Sequence, residues 1–191
     1  MPLPKIKITE EEYLEQERKA EHKSEFYKGE VFAMAGATKE HNKIVASLIA
    51  EIGQYLKGKK CTFFPSDLRT HNFANGFYTY PDVTIVCGEE KYLDDRFDTL
   101  TNPTVLIEVL SAATEDYDRG TKFKLYRSIP SLQNYVVVSS TEYAAEVYTR
   151  NKDTWILTTA RDKEGALYLS AIDYTMKLAE IYAQITEFAA K

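Results

Sequence analysis

The alternation of apolar and polar residues along the chain predicts a mixture of helices and strands. Thr9 with Glu12 three residues later has the spacing of an N-terminal capping box and predicts a helix that runs to about Lys19. The most regular helical pattern starts near Thr38, where apolar residues recur on one face until Gly58. Two further helices are predicted, over Gly120–Ser128 and Leu178–Phe188.

Short apolar or alternating segments predict the strands. The first two flank the turn Lys28-Gly29 and predict a hairpin. The region Gly88–Pro103 is acidic and irregular, and it predicts a long loop with one helical turn. The predicted strands are Ser24–Tyr27, Val31–Met34, Cys61–Phe64, Leu68–Thr70, Tyr78–Val86, Thr104–Leu110, Asn134–Val138, Ala144–Thr149, Thr154–Thr159 and Ala166–Leu169.

This order of elements predicts the fold class. No linker or repeat divides the chain, so we expect one domain over residues 1–191. From Thr38 onward the order is a helix, about three strands, a helix, a strand and then a β-meander. The expected fold is therefore α+β, with a central mixed sheet covered by two helices, an N-terminal hairpin and a C-terminal meander.

Composition excludes several classes of protein. The hydrophobic fraction of 44% and the charged fraction of 28% are those of a globular domain. No apolar run is long enough to cross a bilayer, and residues 1–15 lack the apolar core of a signal peptide. We therefore expect a cytoplasmic protein that is not associated with a membrane.

Cys61 and Cys87 are isolated in sequence, a pattern that predicts neither a zinc site nor a disulfide. The net charge of −5 argues against a strong general nucleic-acid binder and leaves a local basic rim open.

Two carboxylates lie in apolar segments that are expected to be buried in the core. Glu108 lies inside the apolar run Val105–Leu110, and Asp82 opens the apolar run that ends at Val86. A carboxylate is costly to bury unless it is paired or bound to a cation. Neighbouring strands could present both acids to one point, which suits a hard divalent cation such as Mg²⁺. The alternative for Glu108 is an ordinary acid at a solvated sheet edge.

A lysine is the third candidate. Lys122 lies in the first turn of the helix that follows Glu108, where its ammonium could orient an attacking water and stabilise a pentavalent phosphate. Taken by itself, a lysine at this position is more typical of a surface residue. We expect the Lys122 ammonium near both Asp82 and Glu108, with Lys124 turned to solvent, because two residues along a helix differ by about 200°.

These segments together resemble a known family. Tyr80-Pro81-Asp82-Val83, Ile107-Glu108-Val109-Leu110-Ser111 and Asp118-Arg119-Gly120-Thr121-Lys122 are similar to the motifs of the restriction-endonuclease superfamily, and more narrowly of the Uma-two family of restriction endonucleases. The resemblance implies an αβββαβ core and a metal held by Asp82 and Glu108. It also implies a catalytic lysine at Lys122, because Leu110 stands where the superfamily has its lysine.

The same resemblance extends to further residues. It implies an N-terminal acid at Glu25 that could complete the site, and a histidine at His41, which is more typical of a satisfied residue at a helix start. Four other polar residues are candidates for the lining of the cleft, although a structural role is the better reading of each: Ser66, Asp67, Arg69 and Ser111.

The predicted activity is hydrolysis of DNA phosphodiester bonds with Mg²⁺ or Mn²⁺. Two alternatives stay open: a module on the same fold that binds nucleic acid or regulates without cleaving, and a purely structural partner subunit. Leu110 and the acidic net charge favour the first alternative, and Asp82 and Glu108 disfavour it. The 14 tyrosines and the apolar segment after Tyr143 predict a homodimer interface.

Overall fold

The computed structural model describes residues 7–34, 36–111 and 115–188. Its helices are α1 (Glu10–Glu17), α2 (Lys39–Leu56), a π-helix (Tyr117–Lys122), α3 (Phe123–Tyr126) and α4 (Leu178–Ile181). Its strands are β1 (Ser24–Tyr27), β2 (Glu30–Ala33), β3 (Cys61–Pro65), β4 (Arg69–Asn72), β5 (Phe77–Thr79), β6 (Val83–Cys87), β7 (Thr99–Leu100), β8 (Val105–Leu110), β9 (Asn134–Ser139), β10 (Ala144–Asn151), β11 (Thr154–Arg161), β12 (Ala166–Leu169) and β13 (Tyr174–Lys177).

Three sheets organise these strands. A six-stranded sheet has the order β11-β10-β9-β8-β6-β3, and its parallel pair β8–β9 lies among antiparallel neighbours. A five-stranded sheet has the order β2-β1-β5-β4-β7. The remaining hairpin, β12–β13, forms a two-stranded sheet. The parallel crossover from β8 to β9 runs through the π-helix and α3, as a parallel connection requires.

The six-stranded sheet separates two apolar cores. On one face, α2 packs Ile44, Leu48 and Ile52 against the odd-numbered residues of β8. On the other face, Leu106 and Leu110 of β8 pack with α3 and with Tyr135 of β9. All six residues of β8 are buried, which explains its nearly continuous apolar sequence.

The predicted fold class is confirmed. The order α2, β3, β6, β8, α3 and β9 forms the expected αβββαβ core with its mixed sheet. The capping box at Thr9 is also confirmed, because the Thr9 hydroxyl accepts from the Glu12 amide at 3.2 Å and the Glu12 carboxylate accepts from the Thr9 amide at 2.8 Å. Within the described residues, no helix is long and apolar enough to span a membrane.

The predicted strand Tyr78–Val86 is wrong, because the chain leaves one sheet and enters another at its middle. Phe77–Thr79 belongs to the five-stranded sheet and Val83–Cys87 to the six-stranded sheet. Pro81 lies between them, and proline has no amide hydrogen to donate to a strand ladder. This crossing places Asp82 at the entrance of β6, next to the strand that carries Glu108.

In the C-terminal region all three predicted strands are present, and the differences lie in how they pair and in where the closing helix ends. β10 and β11 form the expected antiparallel pair, but Ala166–Leu169 pairs with the unpredicted strand β13 and does not continue the meander. The closing helix ends at Ile181, far short of the predicted Phe188. In the predicted loop Gly88–Pro103, the structure has the short strand β7 where a helical turn was expected.

The two cysteines correct a further prediction. Cys61 and Cys87 are directly opposite each other in the β3–β6 ladder, with Cα atoms 4.0 Å apart, and they form a disulfide. The spacing of the two cysteines along the chain does not reveal this pairing. An antiparallel register brings together residues that are distant in sequence, and at a pair without mutual backbone hydrogen bonds the Cα atoms are closest.

Candidate active site

Glu108 is the centre of a buried polar cluster. It lies on the α3 face of β8 and its residue is 4% exposed. Its Oε1 accepts hydrogen bonds from Lys122 Nζ at 3.0 Å and from the Tyr126 hydroxyl at 2.8 Å. The alternative of an acid at a solvated sheet edge is therefore wrong, because β8 is the third strand from the β3 edge and Glu108 is enclosed.

The π-helix delivers Lys122 to this cluster. Short π-helical segments are rare and are frequently found at functional sites. Here the segment buries both Asp118 and Lys122, and the Lys122 ammonium lies 3.4 Å from the Asp118 carboxylate. The neighbouring Lys124 is exposed, as predicted.

Glu25 approaches the same ammonium from the other sheet. Its Oε1 lies 3.0 Å from Lys122 Nζ and accepts a 2.6 Å hydrogen bond from the Thr79 hydroxyl. The Tyr117 hydroxyl donates to its Oε2 at 3.4 Å. Lys122 therefore joins Glu25 of the five-stranded sheet to Glu108 of the six-stranded sheet.

Asp82 occupies a separate position beside Glu108. Its Oδ2 accepts from the backbone amide of Val109 at 2.8 Å and lies 3.2 Å from Nε2 of His41 at the start of α2. Among the described residues, Lys122 forms ion pairs with Glu108, Glu25 and Asp118 but not with Asp82. The predicted contact with Glu108 is therefore present, and the nearness of the ammonium to Asp82 stays a prediction.

The charges in this cluster are unbalanced. Three carboxyl groups, on Glu25, Glu108 and Asp118, contact the Lys122 ammonium, and a fourth, on Asp82, lies beside Glu108. Burial raises the pKa of Glu108 to about 8; Lys122 opposes that shift, and the other three carboxylates add to it. Burial by itself lowers the pKa of Lys122, but the carboxylates around it outweigh burial and raise this pKa well above its ordinary value.

The predicted site residues thus fall into two groups. Lys122 contacts both Glu25 and Glu108, and Asp82 with His41 lies alongside. Arg69 is elsewhere, bonded to Thr99, Tyr80 and Asp98, while Ser66 and Asp67 bond the ammonium of Lys23. Ser111 lies half-buried, directly after the end of β8.

Sequence reasoning missed three contacts of the cluster. Asp118 precedes Lys122 by four residues, which is the spacing of a same-face helical pair and could have identified it. Tyr126 lies four residues after Lys122 and could have been found in the same way. Nothing in the sequence around Thr79 indicates its bond to Glu25.

The residues around Glu108 fit a divalent cation only in part. Across the described residues, no group of three or more His, Cys, Asp and Glu side chains has the arrangement of a metal site. Mg²⁺, however, is often held by one or two carboxylates and completes its shell with water and substrate phosphate. The carboxyl groups of Asp82 and Glu108 are close enough to interact electrostatically, and two such groups fit that mode of binding.

Fold and cluster together define a class: a restriction-endonuclease-like domain whose acids lie on adjacent strands and whose lysine lies on the crossover helix. The sequence profile of the Uma2 family, described as "Putative restriction endonuclease", matches residues 10–177. This chain belongs to the Uma2 family.

Individual relatives agree with that assignment. Two proteins of Synechocystis sp. are similar, "Uncharacterized protein slr1290" with 38% identity over 82% of this chain and 80% of its own length, and "Uncharacterized protein sll1609" with 36% identity over 79% and 86%. A crystal structure described as a putative nuclease belonging to DUF820 from Anabaena variabilis superposes with a TM-score of 0.75. At 17% identity, over 92% of this chain and 98% of that one, it shows the shared fold.

Proposed function

We propose that this protein is an endodeoxyribonuclease that hydrolyses DNA phosphodiester bonds with Mg²⁺ or Mn²⁺ held by Asp82 and Glu108. The observation that carries the proposal is the enclosed excess of carboxylates next to one buried ammonium. Buried charges are normally paired or bound to a metal. The Lys122 ammonium can offset one negative charge among the carboxyl groups that contact it, and burial holds a proton on Glu108. A divalent cation at Asp82 and Glu108 would displace that proton and offset the two negative charges.

Each side chain has a role that follows from its contacts. The bound cation would supply Lewis-acid stabilisation of the scissile phosphate and a more acidic water. Lys122 remains an ammonium, so it can stabilise negative charge that develops on the phosphate. Glu25 holds this ammonium from the opposite sheet, and the Val109 amide and His41 orient the Asp82 carboxylate.

Lys122 takes the place of the lysine that Leu110 does not provide. Leu110 is 2% exposed and packs in the apolar core with Leu125, Tyr126 and Leu132. A lysine at that position would have to displace this packing. The ammonium reaches Glu108 from the crossover helix instead, at 3.0 Å.

One observation favours the non-cleaving alternative. The Lys122 ammonium is already engaged by three carboxylates, so it has to be partly released before it can act on a phosphate. A site that stays closed in this way could bind nucleic acid without cutting it. A cleavage assay with purified protein separates the nuclease function from the non-cleaving function.

The experiment is cleavage of mixed DNA substrates by purified protein with Mn²⁺, with Mg²⁺ and with chelator. We expect metal-dependent cleavage, lowered by about 100-fold or more in Lys122→Met, because one pre-placed cationic donor is lost from the transition state. Methionine keeps most of the stem volume of lysine in this buried position.

Lys124→Met is the matched control, because Lys124 is exposed two residues further along the same helical segment and should cut like the wild type. A folded Lys122→Met that cuts at the wild-type rate would remove Lys122 from the mechanism. DNA binding by the wild type without cleavage in either metal would establish the non-cleaving function.

A further inference from the structure

An exposed aromatic side chain lies one strand away from Glu25. β1 and β2 pair antiparallel in a register that places Phe32 directly opposite Glu25. Directly opposed residues of a ladder share one face of the sheet, with Cβ atoms about 5 Å apart. Glu25 lies 3.0 Å from the Lys122 ammonium, so Phe32 is on the face of the five-stranded sheet that borders the candidate active site.

Phe32 is exposed where the residues of the site are enclosed. It is 43% exposed, whereas Glu25, Glu108 and Lys122 are between 4% and 7% exposed. Within the described residues, β2 pairs with β1 alone, and Phe32 belongs to none of the three apolar clusters. Packing inside the chain therefore does not account for an aromatic residue at this position.

A second aromatic ring lies at the same carboxylate. The Tyr117 hydroxyl donates to Glu25 Oε2 at 3.4 Å, and the centre of its ring is 5.8 Å from the Lys122 ammonium. Tyr117 is half-buried and belongs to the π-helix, whereas Phe32 belongs to β2. Aromatic residues from two different elements therefore border Glu25 and the ammonium that it contacts.

We propose that the substrate of this site is single-stranded or locally unpaired DNA, one base of which stacks on Phe32 while its phosphate lies at Lys122. This inference rests on the proposed nuclease function and specifies its substrate. A nucleotide carries its base and its phosphate on one sugar, so a base on Phe32 brings a phosphate close to the ammonium. An aromatic ring stacks on the face of any base, and inside a duplex the neighbouring pairs cover that face.

The enclosure of the site and the charge of the chain both favour an unpaired strand. Duplex DNA is too stiff to bend one phosphate into an enclosed site, whereas a single strand is flexible. The net charge of −5 provides little general attraction for phosphates, so affinity has to come from other contacts, and base stacking is one. An apolar protein partner on Phe32 would seal the polar cluster, whereas a nucleotide offers a base to the ring and a phosphate to the ammonium.

The first test is binding of labelled single-stranded DNA and of the matching duplex in chelator, where a metal-dependent nuclease does not cut. We expect tighter binding of the single strand, weakened about 10-fold in Phe32→Ala and retained in Phe32→Trp, because the stacked base needs an aromatic ring. Phe97→Ala is the matched control and should bind like the wild type. Phe97 is 64% exposed and lies two residues before β7, at the opposite edge of the same sheet.

Cleavage with Mn²⁺ separates this inference from the nuclease function on which it rests. The wild type should cut a single strand, and a duplex with an unpaired internal loop, about 10-fold faster than the fully paired duplex, and Phe32→Ala should lose this preference. Binding that depends on Phe32 without cleavage of any substrate would contradict the nuclease function alone.

Three outcomes would overturn the inference itself. The first is equal cleavage of paired and unpaired DNA, which would leave the nuclease function intact. The second is absence of single-strand binding, or single-strand binding that is the same in Phe32→Ala and in the wild type. The third is a solution mass of twice 21.9 kDa that falls to one chain in Phe32→Ala, which would assign this surface to a second copy of the protein.

Discussion

At the scale of single residues, the sequence predicted the members of the buried polar cluster better than it predicted the contacts among them. Glu108 was identifiable because a carboxylate inside an apolar strand is costly to bury. The Lys122 ammonium does touch Glu108, yet its other partners come from β1 and from the π-helix. Those contacts depend on how two sheets pack, and no local pattern reports that packing.

Glu108 gives the apo protein a specific pH dependence. Its pKa is raised to about 8 in the folded protein, whereas an unfolded glutamate titrates near the ordinary value of 4.5. Between these two values the folded state binds the extra proton, so the free energy of unfolding should fall as the pH rises toward 8. Its stabilising contribution is complete below the ordinary pKa and is lost above the raised one.

Glu108→Gln should remove this part of the pH dependence, because glutamine resembles the protonated carboxyl and leaves Lys122 paired with Glu25 and Asp118. We expect the variant to melt above the wild type at pH 8 and to lose this advantage toward pH 5, in metal-free buffer. Calorimetry between pH 5 and pH 8 measures the melting temperatures of the variant and of the wild type. Parallel profiles for the two proteins would mean that Glu108 ionises normally in the fold.

At the scale of elements, long periodic segments were predicted well and short ones only in part, because β1 and β12 have their predicted bounds whereas β7 and β13 were missed. The helix starting near Thr38 and the strands β8, β9 and β10 have patterns strong enough to fix their type. The exchange of sheets at Pro81 was missed because both halves of Tyr78–Val86 are extended and apolar. Strand β13 was missed because it runs directly into α4, so no turn residues mark its end.

The disulfide is a feature of two elements, since it joins edge strand β3 to β6. It closes a loop with a sequence separation of 26, for which chain-entropy arguments give a stabilisation of about 3.5 kcal/mol. The double variant Cys61→Ala, Cys87→Ala should therefore unfold at lower urea concentration than the oxidised wild type.

Reductant supplies the control for this prediction. It should lower the unfolding midpoint of the wild type by a similar amount and leave the double variant unchanged. If reductant does not change the urea midpoint of the wild type, Cys61 and Cys87 are not joined by a disulfide in the purified protein.

At the scale of the whole molecule, the proposed metal should be detectable as global stability. A ligand that binds only the folded state stabilises it by about 2.7 kcal/mol at a concentration of 100 times its Kd. For a chain of 191 residues, this corresponds to a rise in melting temperature of about 5–10 °C. We expect that rise with Mg²⁺ or Mn²⁺.

Two variants show whether the rise comes from the proposed site. Asp82→Ala should lose most of it, whereas Asp95→Ala, which removes an exposed acid elsewhere, should keep it. An equal rise in Asp82→Ala and Asp95→Ala would place the cation away from Asp82. Scanning fluorimetry of the wild type and the two variants at increasing metal concentration measures these melting temperatures.

The bridge that Lys122 makes between two sheets also has a consequence for biosynthesis. Glu25 leaves the ribosome about a hundred residues before Lys122 and the strand β9 that pairs with β8. A nascent chain that ends before Lys122 contains the carboxylates without the ammonium that holds two of them together. Translation itself therefore delays completion of the cluster until synthesis has passed Lys122, and a product truncated before that residue carries the acids without the assembled site.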